Sequence, residues 1–280
     1  MNDWPSFARL AWVHARYQNR LFVRTPVAAF FSTLLPLVML VLFVAVFGND
    51  TFDTSFGTLT TAQFYAPALA VFSIASATYT NIGIFLSTQR DTGVLKRHRG
   101  TPLPTSALMC GVIGSAALIA AVSGTLMIGV GWLVYDLSIE AAKMPAILLS
   151  FTVGICCFAS LGVALAVIAP SAASAPALAN ATILPMAIAS GVFISLGSDT
   201  AGWLTFVGDL FPLRPFVESL GAAFSPFTEA PAIEWDRLAV MALWGSAAAV
   251  YSARNFSWEI RGATSRRGGR RAAASEPTRT

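Results

Sequence analysis

The amino-acid sequence predicts an all-α membrane protein with six transmembrane helices and with both termini in the cytoplasm. Of its 280 residues, 55% are hydrophobic and only 11% are charged, whereas a water-soluble domain usually carries charges on about a quarter of its residues. A transmembrane helix needs about 20 predominantly apolar residues. Six stretches meet this requirement without a charge in their central part: residues 27–47, 64–86, 107–134, 144–168, 176–197 and 235–253.

The placement of Arg and Lys predicts the orientation of these spans. Basic residues cluster before the first span, after the second and after the sixth, and segments rich in Arg and Lys stay in the cytoplasm. Because both termini lie on the basic side, the number of spans is even. The cytoplasmic basic residues are Arg9, Arg16, Arg20, Arg24, Arg90, Lys96, Arg97, Arg99, Arg254, Arg261, Arg266, Arg267, Arg270, Arg271 and Arg279, and the opposite side holds Lys143, Arg214 and Arg237.

The two ends of the chain are predicted to lie outside a six-helix transmembrane domain of residues 27–260. In residues 1–26, apolar side chains recur at helical spacing on a different face from the arginines, which indicates an amphipathic helix on the inner membrane surface. Residues 261–280 are rich in Arg, Gly, Ala and Ser, so we expect a disordered basic tail. The preference for Arg over Lys and the many alanines fit a GC-rich bacterium, which predicts a bacterial plasma membrane as the location.

Several classes of function are disfavoured by the residues themselves. Basic residues lie beside apolar runs rather than among aromatics of a polar domain, which argues against nucleic acid as a partner. No ionisable side chain lies at a span centre, which argues against an ion gradient as the energy source, although a discontinuous helix that binds sodium through its carbonyls stays open. An enzyme is also disfavoured, because the two histidines, His14 and His98, lack a nearby nucleophile or paired carboxylates with which to form a catalytic site.

ATP hydrolysis within this chain is also disfavoured. Neither Lys96 nor Lys143 follows a glycine-rich phosphate loop. If ATP drives the protein, a separate subunit must hydrolyse it, and no cofactor or metal is expected in this chain. Acidic residues in the predicted outward loops are more typical of a solvated face than of a site; they include Asp199, Asp209, Glu218 and Glu229.

The loop between the second and third spans is the most distinctive cytoplasmic segment. Residues 87–106 read STQRDTGVLKRHRGTPLPTS, in which Thr92 and Gly93 are expected to open a short basic helix and Gly100 to end it before two prolines. On the residues alone, this loop is equally well interpreted as a positive-inside anchor.

Residues 89–103, QRDTGVLKRHRGTPL, resemble the signature of the type-2 ATP-binding-cassette exporter permeases. The resemblance implies that this segment is a coupling helix that docks on a nucleotide-binding ATPase subunit, which would hold ATP and Mg. It also implies a permease dimer, homo- or heteromeric, with the second and fifth spans along the pathway. His98 departs from the family pattern, which has an apolar residue there. The residues expected at the docking surface are Arg90, Asp91, Gly93, Leu95, Arg97 and Arg99.

The outward loop before the last span is unusually apolar for a hydrated connection. It resembles the short re-entrant helices that the same family places near the external mouth, with Pro212 and Pro215 expected at the break between them. A loop that only caps the helix bundle is the alternative. The residues expected to form this re-entrant feature are Phe211, Pro212, Pro215 and Phe216.

The uncharged spans favour a hydrophobic or amphiphilic substrate, such as a drug, an antibiotic or a lipid-linked molecule. The resemblance therefore implies efflux, of the kind that confers antibiotic resistance. Export of a polysaccharide or another cell-envelope polymer stays open, as does a membrane partner subunit that transports nothing. The span residues that suit a hydrophobic cargo are Tyr65, Phe72, Tyr79, Thr182, Met186 and Phe193.

Overall fold

A computed structural model describes residues 7–25, 27, 30–54, 56–94, 105–194 and 201–256. The predicted tail of residues 261–280, and Leu95, Arg97 and Arg99 of the predicted coupling helix, lie outside these residues. The described helices are α1 (Phe7–Val23), α2 (Leu35–Phe47), α3 (Thr61–Asp91), α4 (Thr105–Tyr135), α5 (Met144–Ile168), α6 (Ala175–Ala189), α7 (Gly202–Leu210), α8 (Leu213–Phe224) and α9 (Trp235–Asn255).

Three helices are long and apolar enough to cross a membrane, as the sequence predicts for three of its six spans. They are α3, residues Ser106–Tyr135 of α4, and Ala141–Ile168, which contains α5. The first and fifth predicted spans coincide with the shorter apolar helices Ser32–Phe47 and Ala175–Ala189. The sixth coincides with α9, which is helical throughout but carries charged residues near both ends; they are Asp236, Arg237 and Arg254.

The helix α3 forms the centre of the fold. It packs against α2, α4, α5 and α8, and every residue of its first half, Thr61–Ala75, is buried except Gln63. A π-helical turn, Ser76–Thr80, interrupts α3 near its middle. The helix α9 packs mainly along α5, and α1 packs along α4. The bundle therefore surrounds one buried helix, and side chains on α2, α4 and α5 that face outward are free to contact lipid.

The prediction of an all-α fold is wrong in one place, between α2 and α3. Strands β1 (Thr51–Thr54) and β2 (Gly57–Thr60) pair as an antiparallel hairpin. Thr60 then caps α3: its hydroxyl accepts from the Gln63 amide nitrogen at 3.2 Å, and the Gln63 side chain accepts from the Thr60 nitrogen at 3.1 Å. This capping box satisfies two amides that the helix start leaves unpaired. The end of the hairpin therefore fixes the residue at which α3 begins.

The fifth predicted span ends earlier than the sequence predicts. Residues 176–197 were expected to be helical, but α6 ends at Ala189. Gly191 has φ +77°, and the Val192 and Gly191 nitrogens donate to the Ala187 and Ile188 carbonyls. This is the hydrogen-bond pattern that terminates helices at a left-handed glycine. The apolar composition of residues 190–194 therefore does not extend the helix.

The helices α3 and α5 approach each other closely at Gly162. A Cβ atom at this position would lie 2.9 Å from the main-chain oxygens of both Thr78 and Tyr79. Both oxygens belong to the π-helical turn of α3. Only glycine therefore permits this contact, in the way that small residues permit close helix packing in membranes.

We predict that Gly162→Ala destabilises the protein by about 1–3 kcal/mol, because the added methyl group displaces main-chain atoms rather than a side chain. Heating the purified protein in detergent and measuring the soluble monodisperse fraction by size-exclusion chromatography tests this. Gly129→Ala is the matched control, since a Cβ there has no neighbour within 4 Å and alanine favours a helix. Equal midpoints for the two variants would contradict the close approach.

Candidate functional site

At the Asp91 end of α3, two adjacent charged side chains connect three segments of the bundle. The Arg90 guanidinium donates to the carbonyls of Ala166 and Ala169, both at 2.8 Å. Asp91 accepts from the Ala172 nitrogen and from Arg90 Nε, the latter at 3.2 Å. Arg90 thus satisfies the last carbonyls of α5, and Asp91 holds the turn that leads to α6. We call these two residues the Arg90–Asp91 bracket.

Arg90, one of the residues expected at the docking surface, is bonded within this bracket. Only 4% of the Arg90 surface is exposed, because its guanidinium holds the end of α5; its part in docking stays a prediction. The physical reason is that the end of α5 leaves carbonyls without partners, and a guanidinium has enough donors for two of them. Asp91 is partly buried because its carboxylate accepts from the Ala172 nitrogen and from Arg90 Nε.

The residues that follow the bracket form a turn. Thr92 is the C-cap of α3, the Gly93 nitrogen donates to the Arg90 carbonyl at 3.1 Å, and Gly93 has φ +72°. Val94 is helical again. The predicted boundary at Thr92 and Gly93 therefore coincides with the turn that ends α3.

The apolar loop before α9 contains two short helices, α7 and α8, joined at Phe211 and Pro212. Their junction packs against the middle of α9. The Trp244 indole nitrogen donates to the Leu210 carbonyl at 2.7 Å, and the Trp244 ring stacks on Phe211 with ring centroids 5.9 Å apart. A carbonyl freed by the helix break thus receives a donor from a neighbouring helix.

Two other residues predicted for this feature lie within α8. Phe216 is fully buried and stacks on Phe158 of α5 at a centroid distance of 6.1 Å. Pro215 was predicted to form part of the break together with Pro212. It lies instead in the first turn of α8. The first turn tolerates proline because its N–H groups have no acceptor within the helix.

A network of four charged side chains joins α7, α8 and α9 near this junction. Arg237 donates to Asp209 Oδ1 and pairs with Glu218 Oε2, both at 2.8 Å, and Arg214 Nε donates to Glu218 Oε1 at 2.8 Å. Glu218 and Arg214 are largely buried, with side chains 15% and 13% exposed. Glu218 is therefore a structural partner of the two arginines rather than a member of the solvated face that was expected, whereas Asp209 pairs with Arg237 while its side chain stays 41% exposed.

A cavity of about 400 Å³ lies between α3, α5, α6, the α7–α8 junction and α9. Its polar feature is a hydrogen bond of 2.6 Å between the Tyr79 and Thr182 hydroxyls. Among the described residues that line it, none is charged. The lining residues are Tyr79, Phe158, Leu161, Ala181, Thr182, Ile183, Pro185, Met186, Ala189, Val207, Phe211, Pro212 and Trp244.

Half of the residues expected to suit a hydrophobic cargo line this cavity, namely Tyr79, Thr182 and Met186. The other three form a separate aromatic contact. Tyr65 donates to the Phe193 carbonyl at 3.2 Å, and Phe72 packs edge-on against the Phe193 ring at 5.2 Å. These three residues join α3 to the turn after α6 rather than facing the cavity.

Comparison with protein families decides the class of the protein. The family model described as ABC-2 type transporter matches residues 9–224, which is more than half of the chain. The chain belongs to the ABC-2 type transporter family. It is therefore a multi-pass membrane transport subunit and not itself an enzyme. A search of curated proteins finds no match.

The ABC-2 family match covers the chain from α1 to the end of α8, and so includes the bracket, the α7–α8 junction and most of the cavity wall. Trp244 and Arg237 on α9 lie beyond it. Sequence reasoning missed both residues, since an Arg near a span end is an ordinary interfacial anchor and a single Trp inside an apolar span does not differ in pattern from a packing residue. It also missed the bracket, whose acceptors lie 76 and 79 residues further along the chain.

We predict that Arg90→Ala loosens the link between α5 and α6 by about 2–4 kcal/mol, because it leaves two buried carbonyls without their charged donor. Hydrogen–deuterium exchange of peptides covering residues 165–175 should rise at least about tenfold, which corresponds to 1.4 kcal/mol. Asp91→Asn should have a smaller effect, because its amide oxygen still accepts from the Ala172 nitrogen.

Arg254→Ala is the control for charge removal, since this residue is exposed in the last turn of α9. Exchange at residues 165–175 should stay at the native rate in that variant. Native exchange rates in Arg90→Ala would contradict the structural role of the bracket.

Proposed function

We propose that this chain is the permease half of an ATP-driven exporter, which moves a hydrophobic or amphiphilic substrate such as a drug, an antibiotic or a lipid-like molecule out of a bacterial cell. Two permease chains, identical or not, would form the pathway, and a separate nucleotide-binding subunit would bind ATP and Mg. The ABC-2 family match carries this proposal, because permease domains of this family typically work with an ATPase subunit.

The proposed orientation has six spans, with both termini and the segment after Asp91 in the cytoplasm. The ion pairs of the opposite side support it. Lys143, only 1% exposed, donates to Glu140 at 2.9 Å and to the Ser225 carbonyl at 2.8 Å, while Arg214 and Arg237 belong to the charged network. Because all three basic residues of that side are neutralised by nearby acids, they oppose the positive-inside rule only weakly.

The Arg90–Asp91 bracket supports coupling through residues 89–103. This segment begins at the bracket, which is bonded to the end of α5 and to the turn before α6. An ATPase subunit that moved the segment would therefore move α3, α5 and α6 together. Such a rigid link is what a two-state transport cycle needs to transfer motion from one subunit to another.

The cavity supports the proposed class of substrate. Its volume falls in the range of sites for small organic molecules, which are mostly apolar with a few polar groups. The Thr182 hydroxyl already donates to the Leu178 or Ala179 carbonyl, each at 2.9 Å, so Tyr79 is the donor in the Tyr79–Thr182 bond. A lone pair of the Tyr79 oxygen is then available to accept a hydrogen bond from a ligand.

We predict that a Gly93→Pro, Arg97→Glu double variant loses coupling to the ATPase subunit. Proline cannot adopt the positive φ of Gly93, and the charge reversal removes a basic docking residue. The measurement is the ATPase activity of the co-purified complex in lipid nanodiscs. Native complex should hydrolyse ATP faster than free ATPase subunit, and the variant should lose assembly or this stimulation.

Arg254→Glu makes a charge reversal at an exposed position on the same side of the proposed membrane, and it should leave assembly and stimulation at native levels. If the native chain recruits no ATPase subunit, the exporter proposal fails and a non-transporting partner subunit is favoured. If the double variant behaves as the native protein does, the loop is only a topological anchor.

We predict that Tyr79→Phe weakens the response to substrate without affecting assembly. Losing one hydrogen bond costs about 1 kcal/mol, so the concentration of an amphiphilic dye that half-maximally stimulates ATPase activity should rise about fivefold. The assay screens a panel of dyes with N–H donors, including rhodamine 123. Trp244→Ala should raise this concentration further, because it removes a large apolar side chain from the cavity wall and with it the surface that a ligand would contact.

The control for this experiment is Thr152→Val. Thr152 bonds to its own helix at the Leu148 carbonyl, as Thr182 does on α6, but it is exposed and lies outside the cavity. Its response should equal the native one. Stimulation by polymers with lipid anchors but by none of the dyes would instead favour export of a cell-envelope polymer.

A further inference from the structure

A second, larger crevice lies between α1 and the first half of α4. It has a volume of about 1360 Å³, and one hydrogen bond holds its two walls together: the Ser115 hydroxyl donates to Asn19 Oδ1 at 2.6 Å. Beside this bond the crevice is open, because a Cβ at Gly114 would have no neighbour within 4 Å. The helix α1 therefore contacts α4 without filling the space next to it.

One wall of the crevice is positively charged. Arg16, Arg20 and Arg24 line it at intervals of four residues, the spacing that places side chains on one face of a helix. Among the described residues, none of these three arginines pairs with a carboxylate, in contrast to the arginines of the α7–α9 network. Arg16 instead lies over the Trp12 ring at 5.4 Å.

The opposite wall is apolar. Cys110, Gly114 and Leu118 of α4 line it, again at intervals of four residues, so they form a stripe along the helix. Leu118 is 54% exposed. Because α4 is one of the helices long and apolar enough to cross the membrane, this stripe follows the direction in which lipid acyl chains run.

We propose that this crevice is a binding site for an anionic phospholipid, with the headgroup phosphate on Arg16, Arg20 and Arg24 and an acyl chain along the stripe of α4. The arginines supply donors suited to a phosphate. The stripe supplies an apolar surface, whose exposure to water is unfavourable and which an acyl chain would cover. A soluble anion would use only the charged wall, whereas a phospholipid uses both. This site requires only that the chain spans a membrane and does not rest on the proposed exporter function.

Photolabelling of the full chain tests the proposal. The protein is reconstituted in phosphatidylcholine nanodiscs with a trace of phosphatidylglycerol that carries a diazirine on its acyl chain, and labelled peptides are mapped by mass spectrometry. Labels should concentrate on residues 107–122 and 12–24. Unlabelled phosphatidylglycerol should compete at least about tenfold better than added phosphatidylcholine, since each basic residue near an anionic headgroup strengthens binding about fivefold.

Three variants separate the two walls. Replacing Arg16, Arg20 and Arg24 by Gln should abolish the preference for phosphatidylglycerol. Gly114→Phe should reduce labelling of residues 107–122 at least about fivefold while the arginines are intact, because the new ring occupies the open space. Arg254→Gln removes a basic residue outside the crevice and should leave both results unchanged. Native thermal stability of Gly114→Phe shows that its effect does not come from unfolding.

Three results would overturn the proposal. Equal labelling by a phosphatidylcholine probe would show an ordinary lipid contact. Competition by glycerol 3-phosphate would show a site for a soluble anion. Retention of the phosphatidylglycerol preference in the triple Arg→Gln variant would show that the charged wall does not select the lipid.

Discussion

The need to pair every main-chain polar group inside a membrane governs this fold. Water is absent there, so a carbonyl freed by a helix end or a helix break needs a donor from the protein. Trp244 and Ser73 each supply such a donor to a different segment of the chain, and Arg90 does the same at the proposed cytoplasmic end, where Ala166 and Ala169 are buried by protein. Their acceptors are the carbonyls of Ala166 and Ala169, of Leu210 and of Ser32, at distances of 2.6–2.8 Å. These three points are thereby fixed to neighbouring helices.

Two irregular points of the bundle line the cavity, so the need to pair main-chain groups also bears on the proposed transport. The α7–α8 junction forms one side, and the π-helical turn of α3 provides Tyr79 on another. Helix breaks that line a cavity are a recurring feature of transporters, because packed regular helices leave little room for a ligand. The bracket reaches this region through α6, whose turn it holds at one end and whose Thr182 lines the cavity. A displacement after Asp91 therefore has a short bonded route to the site.

The sequence predicted the elements that depend on local pattern. Apolar runs located the long helices, and the Pro212 region was expected at a helix break, which lies between α7 and α8. Thr92 and Gly93 were expected to open a short helix, and the structure places the turn that ends α3 at these two residues. It could not predict the burial of Arg90, because an arginine beside a cytoplasmic loop has the same local pattern whether it is solvated or bonded to a distant helix end. The short hairpin was missed for a different reason: four residues a strand is too few for alternation to stand out beside two apolar helices.

The state of the basic side chains, rather than their number, distinguishes the two ends of the bundle. Lys143, Arg214 and Arg237 are bonded to acids and carbonyls at one end, where they hold short helices together. Their charges are balanced locally, so they add little to the potential that orients a membrane protein. At the other end, Arg90 is bonded within the bracket, whereas Arg16, Arg20 and Arg24 face an open crevice. Among these described residues, the charges that no carboxylate balances therefore lie on the side that the sequence predicts to be cytoplasmic. The same distribution indicates where the protein has positive charge left to bind lipid.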